Sequence, residues 1–520
     1  MRTARGSSAT TPPRKPLTAP IWPRFSVLSL LQAARPAVIA IAVMIRHDGL
    51  RVGNLSALVG STSDEREHGT HNLLRRIITL TAIFLVALPS TVFAQGRSFI
   101  RDTEIEETLH LYATPIFKAA GLDPRGVTVY IVSDPSLNAF VAGGQKLFIN
   151  TGLLLKAQTP EQVMGVMAHE TGHIAGGHLS RIHDQLRNAS AISILSTIVG
   201  VAAGVAAGRA DVGTAAVLGG QNVAERNFLA YSRTQESSAD QAGVNFLTDA
   251  GISSRGLMEF METLEGQELL STARQDPYLR SHPLTTERVE FLENYTANSP
   301  LRDAKVDPVL YERHARMRAK LYAFTNHIQH TLRTYPETDT SISGRYARAI
   351  AYYRDSQLDP AMKLIDELIA EEPENPYFEE LKGQVLLEFG KAKEATDPLR
   401  KAVELSNGAP LIRLLLAHAL IESGDSSVLP EAKENLLGVL SVERSNASAW
   451  RFRAIIENRL GNEGEASLSQ AEYSLLTGDR EAAKYHAVQA DRKLEKGTAT
   501  WQRAQDIIRA TDPEGKDNRN

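Results

Sequence analysis

The spacing of apolar residues predicts two helices in the first third of the chain. Residues 102–121 place Ile105, Leu109 and further apolar side chains at helical intervals and end at Gly121, which is typical of an amphipathic helix. The stretch TPEQ (159–162) opens a second helix, with Thr at the N-cap, Pro at the first helical position and Gln at the third. This arrangement predicts a capping box. We expect the second helix to end at the glycine pair 176–177.

Two short stretches between these helices predict strands. Residues 127–134 (VTVYIVSD) and 146–150 (KLFIN) are rich in β-branched and aromatic side chains, as strands usually are. Gly143 and Gly144 predict a turn between the two. The pattern therefore favours a small edge sheet within a mostly helical α+β domain.

The C-terminal third repeats itself with a period near 34 residues. Alanines recur at intervals of 34, 37 and 34 residues, at Ala361, Ala395, Ala432 and Ala466. Glycines follow the same spacing at Gly390, Gly424 and Gly461. This is the tetratricopeptide period, and it predicts an all-α solenoid of stacked helix pairs.

The apolar segment at 73–94 predicts export from the cytoplasm. Two arginines precede an apolar run of twelve residues at 77–88, and small residues stand at the positions before a cleavage site at Ala94, as in a secretory signal peptide. The run is shorter than the roughly 20 residues that span a bilayer. We therefore expect a mature periplasmic protein that begins at Gln95, and a non-native or disordered extension over 1–72.

A second apolar run covers residues 189–208, which carry no charged side chain. Its length alone would permit a membrane span. Its Ala- and Gly-rich composition favours a buried or lid-forming helical hairpin, with contact to the membrane surface as the alternative.

The composition limits the kinds of function and of metal site that the chain can have. The chain has 520 residues, which predicts more than one domain, and its formal net charge of -4 argues against a general nucleic-acid binder. It contains no cysteine, so disulfides, cysteine nucleophiles and cysteine-bound zinc are excluded. Histidine and carboxylate remain as metal ligands.

The sequence MAHETGHIAGGH (167–178) carries the candidate metal site. His169, Glu170 and His173 form an HExxH pattern, in which the two histidines share one helical face and can bind one zinc ion. Glu170 is rotated by about 100° from His169, so it is placed to act as a base rather than as a ligand. A longer zinc pattern would need a third histidine at Leu179, whereas His178 stands one residue early.

The third ligand must therefore come from elsewhere in the chain. Glu236 and Asp240 lie four residues apart before an apolar helical pattern. A glutamate on zinc, with an aspartate one turn later that accepts the N–H of a ligand histidine, is a sensible pair. The predicted ligands are His169, His173 and Glu236, and His178 is expected to support them.

The motifs HETGH (169–173), ESSAD (236–240) and SHPLTTER (281–288) occur in the order found in gluzincin peptidases related to the CAAX prenyl proteases and HtpX. With the signal peptide and the repeats, the chain resembles the periplasmic branch of this family. The resemblance implies one zinc ion per chain on the three predicted ligands, with Glu170 as the base and Asp240 behind a ligand histidine.

The resemblance also implies roles for His282 and Arg288. The family histidine at the position of His282 approaches the metal, either by taking its open position in a resting state or by stabilising the oxyanion. The family arginine that corresponds to Arg288 lies near the substrate site.

These observations predict a zincin-like α+β peptidase domain followed by a tetratricopeptide solenoid. The expected boundaries are an N-terminal extension at 1–72, a signal peptide at 73–94, the peptidase at 95–300, a helical linker at 301–345, repeats at 346–510 and a disordered tail at 511–520.

The expected function is periplasmic, zinc-dependent endoproteolysis of unfolded or misassembled envelope and outer-membrane proteins. We expect a substrate strand to add to the sheet at Leu147–Asn150, and an envelope protein to dock on the repeats. The competing hypothesis is a chaperone or assembly scaffold whose protease is largely latent.

Overall fold

A computed structural model describes residues 98–178, 232–265 and 275–512. The predicted signal peptide, the apolar run 189–208 and most of the predicted tail lie outside these residues. Across the described ranges, no helix is both long enough and apolar enough to cross a bilayer.

The N-terminal part contains a four-stranded sheet within the described residues. Its strands are β1 (Phe99–Ile100), β2 (Thr128–Val132), β3 (Ala139–Ala142) and β4 (Lys146–Asn150), in the order β1-β2-β4-β3. The β2–β4 pair is parallel, while β1 and β3 pair antiparallel with β2 and β4.

This strand order corrects the expectation for Leu147–Asn150. β4 is hydrogen-bonded on both sides, to β2 and to β3, so it offers no free edge. The edge strands of this sheet are β1 and β3. The sequence pattern missed β3, which has only four residues before the turn at Gly143 and Gly144. Both glycines have positive φ, as a tight hairpin requires.

The helices of the N-terminal part pack with the sheet and include those that carry the candidate site. They are α1 (Thr103–Ala119), α2 (Thr151–Lys156), α3 (Pro160–Ala175), α4 (232–249), α5 (Arg255–Glu262), α6 (Pro277–Ser281) and α7 (Thr286–Asn298). One hydrophobic core joins the sheet with α1, α3 and α5, including Ile105, Leu109, Ile131, Leu147, Val163 and Leu257.

The two predicted helices begin and end where expected, but the capping box on α3 is wrong. Thr159 is the N-cap of α3, yet its side chain makes no cap hydrogen bond. Gln162 instead accepts a hydrogen bond from the backbone N–H of Gln158, at 2.7 Å. The end at Ala175, with Gly176 as C-cap, agrees with the sequence.

The C-terminal part is a helical solenoid. Two helices, α8 (Pro308–Thr325) and α9 (Ile328–Thr334), lead into it. The repeat helices are α10 (Ile342–Arg354), α11 (Leu358–Glu371), α12 (Pro376–Glu388), α13 (Ala392–Leu405), α14 (Pro410–Glu422), α15 (Leu429–Val442), α16 (Ala447–Arg459), α17 (Glu463–Leu476), α18 (Arg480–Lys493) and α19 (Ala499–Thr511). Three of the four repeat alanines are fully buried (Ala361, Ala395 and Ala432), which lets neighbouring helices approach closely.

A buried charged network joins α1 to helices α8 and α10. Glu104 of α1 is fully buried and binds Arg316 at 2.9 Å and the hydroxyl of Tyr346 at 3.0 Å. Lys320 lies 3.4 Å from Glu104 and 2.7 Å from Asp102. The helix α1 is therefore tied to α8 and α10 by groups that are largely shielded from water.

Candidate metal centre

The helix α3 presents His169 and His173 on one face, one turn apart. Both are buried, at 0% and 7% exposure, and their Nε2 atoms lie 3.1 Å apart. A helical spacing of four residues brings two imidazoles to one point, as the sequence pattern required.

Glycines allow α4 to approach α3 closely enough to complete the site. A Cβ on Gly172 of α3 would lie 2.7 Å from the backbone oxygen of Ala239, and a Cβ on Gly243 of α4 would lie 3.2 Å from backbone atoms of α3. These residues therefore permit a backbone-to-backbone contact that brings Glu236 and Asp240, on α4, towards the histidines.

Glu236 faces both histidines. Its two carboxylate oxygens lie 3.4 Å from the Nε2 atoms of His169 and His173. Burial alone would raise the pKa of Glu236, but His282 and His169 hold that pKa far below its usual range. The group is thus a buried carboxylate rather than a neutral acid.

Asp240 lies behind His169. Its Oδ1 is 2.8 Å from His169 Nδ1, and because a carboxylate only accepts, Nδ1 carries the hydrogen. Nε2 is then left facing His173 and Glu236. Burial opposes ionisation of Asp240, yet hydrogen bonds from Arg288 and His169 lower its pKa.

Arg288 is engaged by protein groups. Its Nε and Nη2 bind Asp240 at 2.5 and 2.9 Å, and its Nη1 donates to the backbone oxygen of Pro283 at 2.8 Å. Nη1 also lies 3.1 Å from Glu236. With 4% exposure, Arg288 supports the two carboxylates from within the protein.

His282 completes the cluster from the end of α6. Its Nδ1 is 3.1 Å from Glu236 Oε2 and 3.3 Å from His169 Nε2. Its Nε2 lies 3.3 Å from Glu170 Oε1. The side chain is only 6% exposed and therefore occupies the inside of the cluster.

Glu170 lies on the same helix as the histidines but makes a different set of contacts. It is fully buried, and neither of its carboxylate oxygens has a hydrogen-bond partner. Burial raises its pKa, an effect that the nearby His282 and His169 oppose. A raised carboxyl pKa suits a group that takes up a proton during a reaction.

His178 contacts His173 from the C-terminal side of α3. The two Nδ1 atoms lie 3.0 Å apart, so His178 orients the ring of His173 through its outer nitrogen. Gly176 lies between the two histidines in the sequence. Because it has no side chain, the His178 ring can pack back towards His173.

The donor set fits a metal ion. One atom each from His169, His173, Glu236 and His282 lies within 4.8 Å of the others. Burial alone would lower the pKa of His169, but Asp240 and Glu236 raise it to about 10. This negative environment favours a cation at Nε2, and imidazole and carboxylate ligands are those of cysteine-free zinc sites.

The sequence pattern missed Tyr278, which precedes His282 by four residues. It is fully buried, and its ring centroid lies 4.7 Å from that of His282. Burial raises the pKa of its hydroxyl well above the usual value, and Glu170 adds to this shift. The available signal was its position one helical turn before His282 in PYLRSH.

Comparisons with known proteins agree with this geometry. Residues 100–296 match the family model described as Peptidase family M48. The chain is 25% identical over 356 residues to the beta-barrel assembly-enhancing protease of Escherichia coli O157:H7, covering 67% of this chain and 71% of that protein.

Two further relatives have similar descriptions. A putative beta-barrel assembly-enhancing protease of Vibrio cholerae serotype O1 is 25% identical over 385 residues, covering 71% of this chain and 76% of that protein. The metalloprotease YcaL of Escherichia coli strain K12 is 31% identical over 177 residues, covering 34% and 63%. The two longer similarities extend beyond the residues that match the family model.

Proposed function

Because residues 100–296 belong to peptidase family M48, we propose that this chain is a zinc-dependent endopeptidase of the periplasm that cleaves unfolded or misassembled envelope proteins. The observation that carries the proposal is the convergence of His169, His173, Glu236 and His282 in one buried cluster. Imidazole and carboxylate groups are the ligands of cysteine-free zinc sites.

His169, His173 and Glu236 are assigned as the zinc ligands. Asp240 and His178 orient the two ligand histidines through their outer nitrogens, at 2.8 and 3.0 Å. Such outer contacts fix the ring orientation and strengthen the ligand. Arg288 in turn balances the charge of the two carboxylates.

Glu170 is assigned as the general base. A bound zinc ion polarises the scissile carbonyl and makes water more acidic. Glu170 then accepts the proton as the water oxygen attacks the amide carbon. Its buried carboxylate, without a hydrogen-bond partner in the described structure, is free to make this contact.

The substrate is placed along β3. This strand is at the edge of the sheet and packs against α3, which carries the histidines. A peptide that adds to an edge strand is held mainly by main-chain hydrogen bonds. This mode explains why the enzyme would accept unfolded segments of varied sequence.

Two further observations support the location and the partners. The signal-peptide pattern at 73–94 favours the periplasm, and the names of the two longer relatives concern beta-barrel assembly. The helical array is proposed to dock an envelope protein. Contact of residues 189–208 with the membrane surface stays a prediction.

A second function has one observation in its favour. His282 is placed as a fourth donor in the cluster, and a fourth protein ligand converts an open catalytic site into a closed one. A scaffold or chaperone with a largely latent protease would have this arrangement at rest.

Glu170→Gln tests the peptidase proposal. Cleavage of an unfolded protein by this variant should fall by about 10²–10⁴, while its zinc content stays that of the wild type, since Glu170 is no ligand. The exposed Glu262 offers the matched control Glu262→Gln, which should cleave normally. Activity of Glu170→Gln within a few-fold of the wild type would contradict the assignment.

The same variant separates proteolysis from scaffolding in cells. In a deletion strain complemented with the wild type or with Glu170→Gln, envelope proteomics should show substrates that accumulate only with the variant. Full complementation by Glu170→Gln would favour the scaffold.

A further inference from the structure

Tyr278 has a hydroxyl group that nothing within the described fold uses. The side chain is fully buried, and its oxygen has no hydrogen-bond partner. Buried polar groups are nearly always paired, and phenylalanine would fill the same space without this defect. We therefore expect this hydroxyl to form a hydrogen bond with a bound molecule rather than with the protein itself.

The ring of Tyr278 is held by two aromatic neighbours, and its backbone by two hydrogen bonds. It packs edge-to-face on Phe260, at 5.4 Å between centroids, and against His282 at 4.7 Å. Its backbone N–H donates to the oxygen of Leu137 at 3.2 Å, and its carbonyl accepts from the N–H of His282 at 2.7 Å. The hydroxyl is thus fixed in direction.

The surroundings of this hydroxyl are those of the metal centre. The charged groups that act on it are Glu170, Arg288, Glu236 and Asp240, with Glu170 the strongest. Both oxygens of Glu170 also lack hydrogen-bond partners. The ring of Tyr278 contacts that of His282, whose Nε2 lies 3.3 Å from Glu170 Oε1, so Tyr278 and Glu170 both contact the same imidazole.

The backbone contact also sets Tyr278 relative to the sheet edge. Leu137, which accepts the hydrogen bond from Tyr278, lies two residues before β3 begins at Ala139. A peptide strand paired with β3 would consequently be in fixed register with the Tyr278 hydroxyl.

Resting on the proposed peptidase function, we propose that Tyr278 is a catalytic residue whose hydroxyl donates a hydrogen bond to the oxygen of the scissile carbonyl as that oxygen gains negative charge. The water oxygen bonds to the amide carbon, the water proton passes to Glu170, and the carbonyl π electrons move onto the carbonyl oxygen. Tyr278 keeps its own proton throughout.

Other nearby groups are less suited to this role. Arg288 directs its Nε, Nη1 and Nη2 to Asp240, Pro283 and Glu236. His282 directs Nδ1 to Glu236 within the cluster. Two donors near Glu170 have no hydrogen-bond partner in the described structure, His282 Nε2 and the Tyr278 hydroxyl. His282 already belongs to the cluster of possible metal ligands, whereas Tyr278 does not.

The test compares Tyr278→Phe with Tyr112→Phe. Tyr112 is an equally buried tyrosine of the same domain, but its hydroxyl lies 3.3 Å from both the Leu310 oxygen and His314 Nδ1. Tyr278→Phe should keep its metal content and its KM, and lose about 10²–10³ in kcat, the usual effect of losing one oxyanion donor. Tyr112→Phe should keep kcat.

A binding measurement distinguishes catalysis from structure. A phosphonate peptide imitates the tetrahedral, negatively charged state, and its Kd should rise in Tyr278→Phe by a factor similar to the loss in kcat. The corresponding peptide substrate stays uncleaved when Glu170→Gln is present. Its Kd should be the same for Glu170→Gln alone and for Glu170→Gln combined with Tyr278→Phe.

Three results would overturn the inference. They are an unchanged phosphonate Kd, an equal weakening for phosphonate and peptide, and loss of metal from Tyr278→Phe, which would make the residue structural. If the wild type itself cleaves no peptide, the proposed function fails as well. If the wild type is active and Tyr278→Phe is equally active, only the proposed role of Tyr278 is contradicted.

Discussion

At the scale of single residues, His282 connects the two halves of the site. Its Nδ1 lies 3.1 Å from Glu236 and its Nε2 lies 3.3 Å from Glu170, so one imidazole contacts both the proposed ligand carboxylate and the proposed base. A histidine in this position competes with a substrate for both groups. We therefore propose that His282 blocks the open metal position in the resting state. Oxyanion stabilisation would instead come from the Tyr278 hydroxyl.

His282→Ala should raise the basal cleavage of an unfolded protein. Removal of the imidazole abolishes the closed state, so the apparent rate should rise by up to the reciprocal of the open fraction. Initial rates at low substrate concentration would measure this, with the exposed His330→Ala as the control. A fall in rate would return His282 to the oxyanion role, and an unchanged rate would exclude both roles.

Spacing within one helix determined how much of the site could be predicted from the sequence. His169, Glu170 and His173 follow from HExxH, while Glu236 and Asp240 share a helical face because they are four residues apart. The structure brings all five together. Tyr278 was missed because its one signal is its position four residues before His282, and a Tyr–His pair at this spacing is not specific to a metal site.

At the scale of elements, the site depends on how closely three helices approach. Gly172 lets α4 contact α3, and Gly165 does the same for α5, where a Cβ would lie 2.6 Å from the Cα of Leu257. Because the partner atoms belong to backbone, they cannot yield as a flexible side chain would.

Gly172→Ala should destabilise the protein and weaken zinc binding together. Alanine normally favours a helix over glycine by up to about 1 kcal/mol, but forcing α3 and α4 apart should reverse the sign and cost about 1–3 kcal/mol. Denaturant unfolding and zinc titration would measure the two effects. The control is Gly438→Ala in α15, where a new Cβ would meet only the flexible side chain of Arg413. A more stable Gly172→Ala would contradict the proposed close contact.

The elements themselves were more predictable than their pairing. The positions of α1, α3, β2 and β4 follow from apolar spacing. Strand order does not, because a five-residue strand such as β4 has the same composition whether it lies at the edge or inside the sheet. Because β3 was missed, the sequence analysis wrongly expected a substrate to add to β4 rather than to β3.

At the scale of the whole molecule, the peptidase domain and the helical solenoid share buried charges. Lys320 of α8 is 5% exposed and lies between Asp102 and Glu104. Buried ion pairs of this kind are costly to break, because one charge stays behind without its partner. Such buried ion pairs are suited to holding α1 and α8 in a single arrangement.

Lys320→Met should lower the free energy of unfolding by about 3–5 kcal/mol, since it leaves Asp102 and Glu104 with too little positive charge. Lys382→Met removes an exposed ion pair with Asp366, 2.7 Å long, and should cost less than about 1 kcal/mol. Equal losses in chemical denaturation would show that the network contributes no more than a surface pair.

The repeat period was visible in the sequence because Ala361, Ala395 and Ala432 recur at helical-pair spacing. The network around Lys320 was not, since its members are separated by more than 200 positions and each looks like an ordinary surface charge. Long-range pairing of charges is set by the folded topology, which spacing alone does not encode.

The zinc content of the purified protein tests the central claim most directly. Elemental analysis should give about one zinc per chain in the wild type, a sharp loss in Glu236→Ala, and no loss in Glu293→Ala, which changes an exposed glutamate of α7. The account predicts this contrast because Glu236 faces both His169 and His173 at 3.4 Å. Equal zinc in both variants would contradict the assignment of Glu236 as the third ligand.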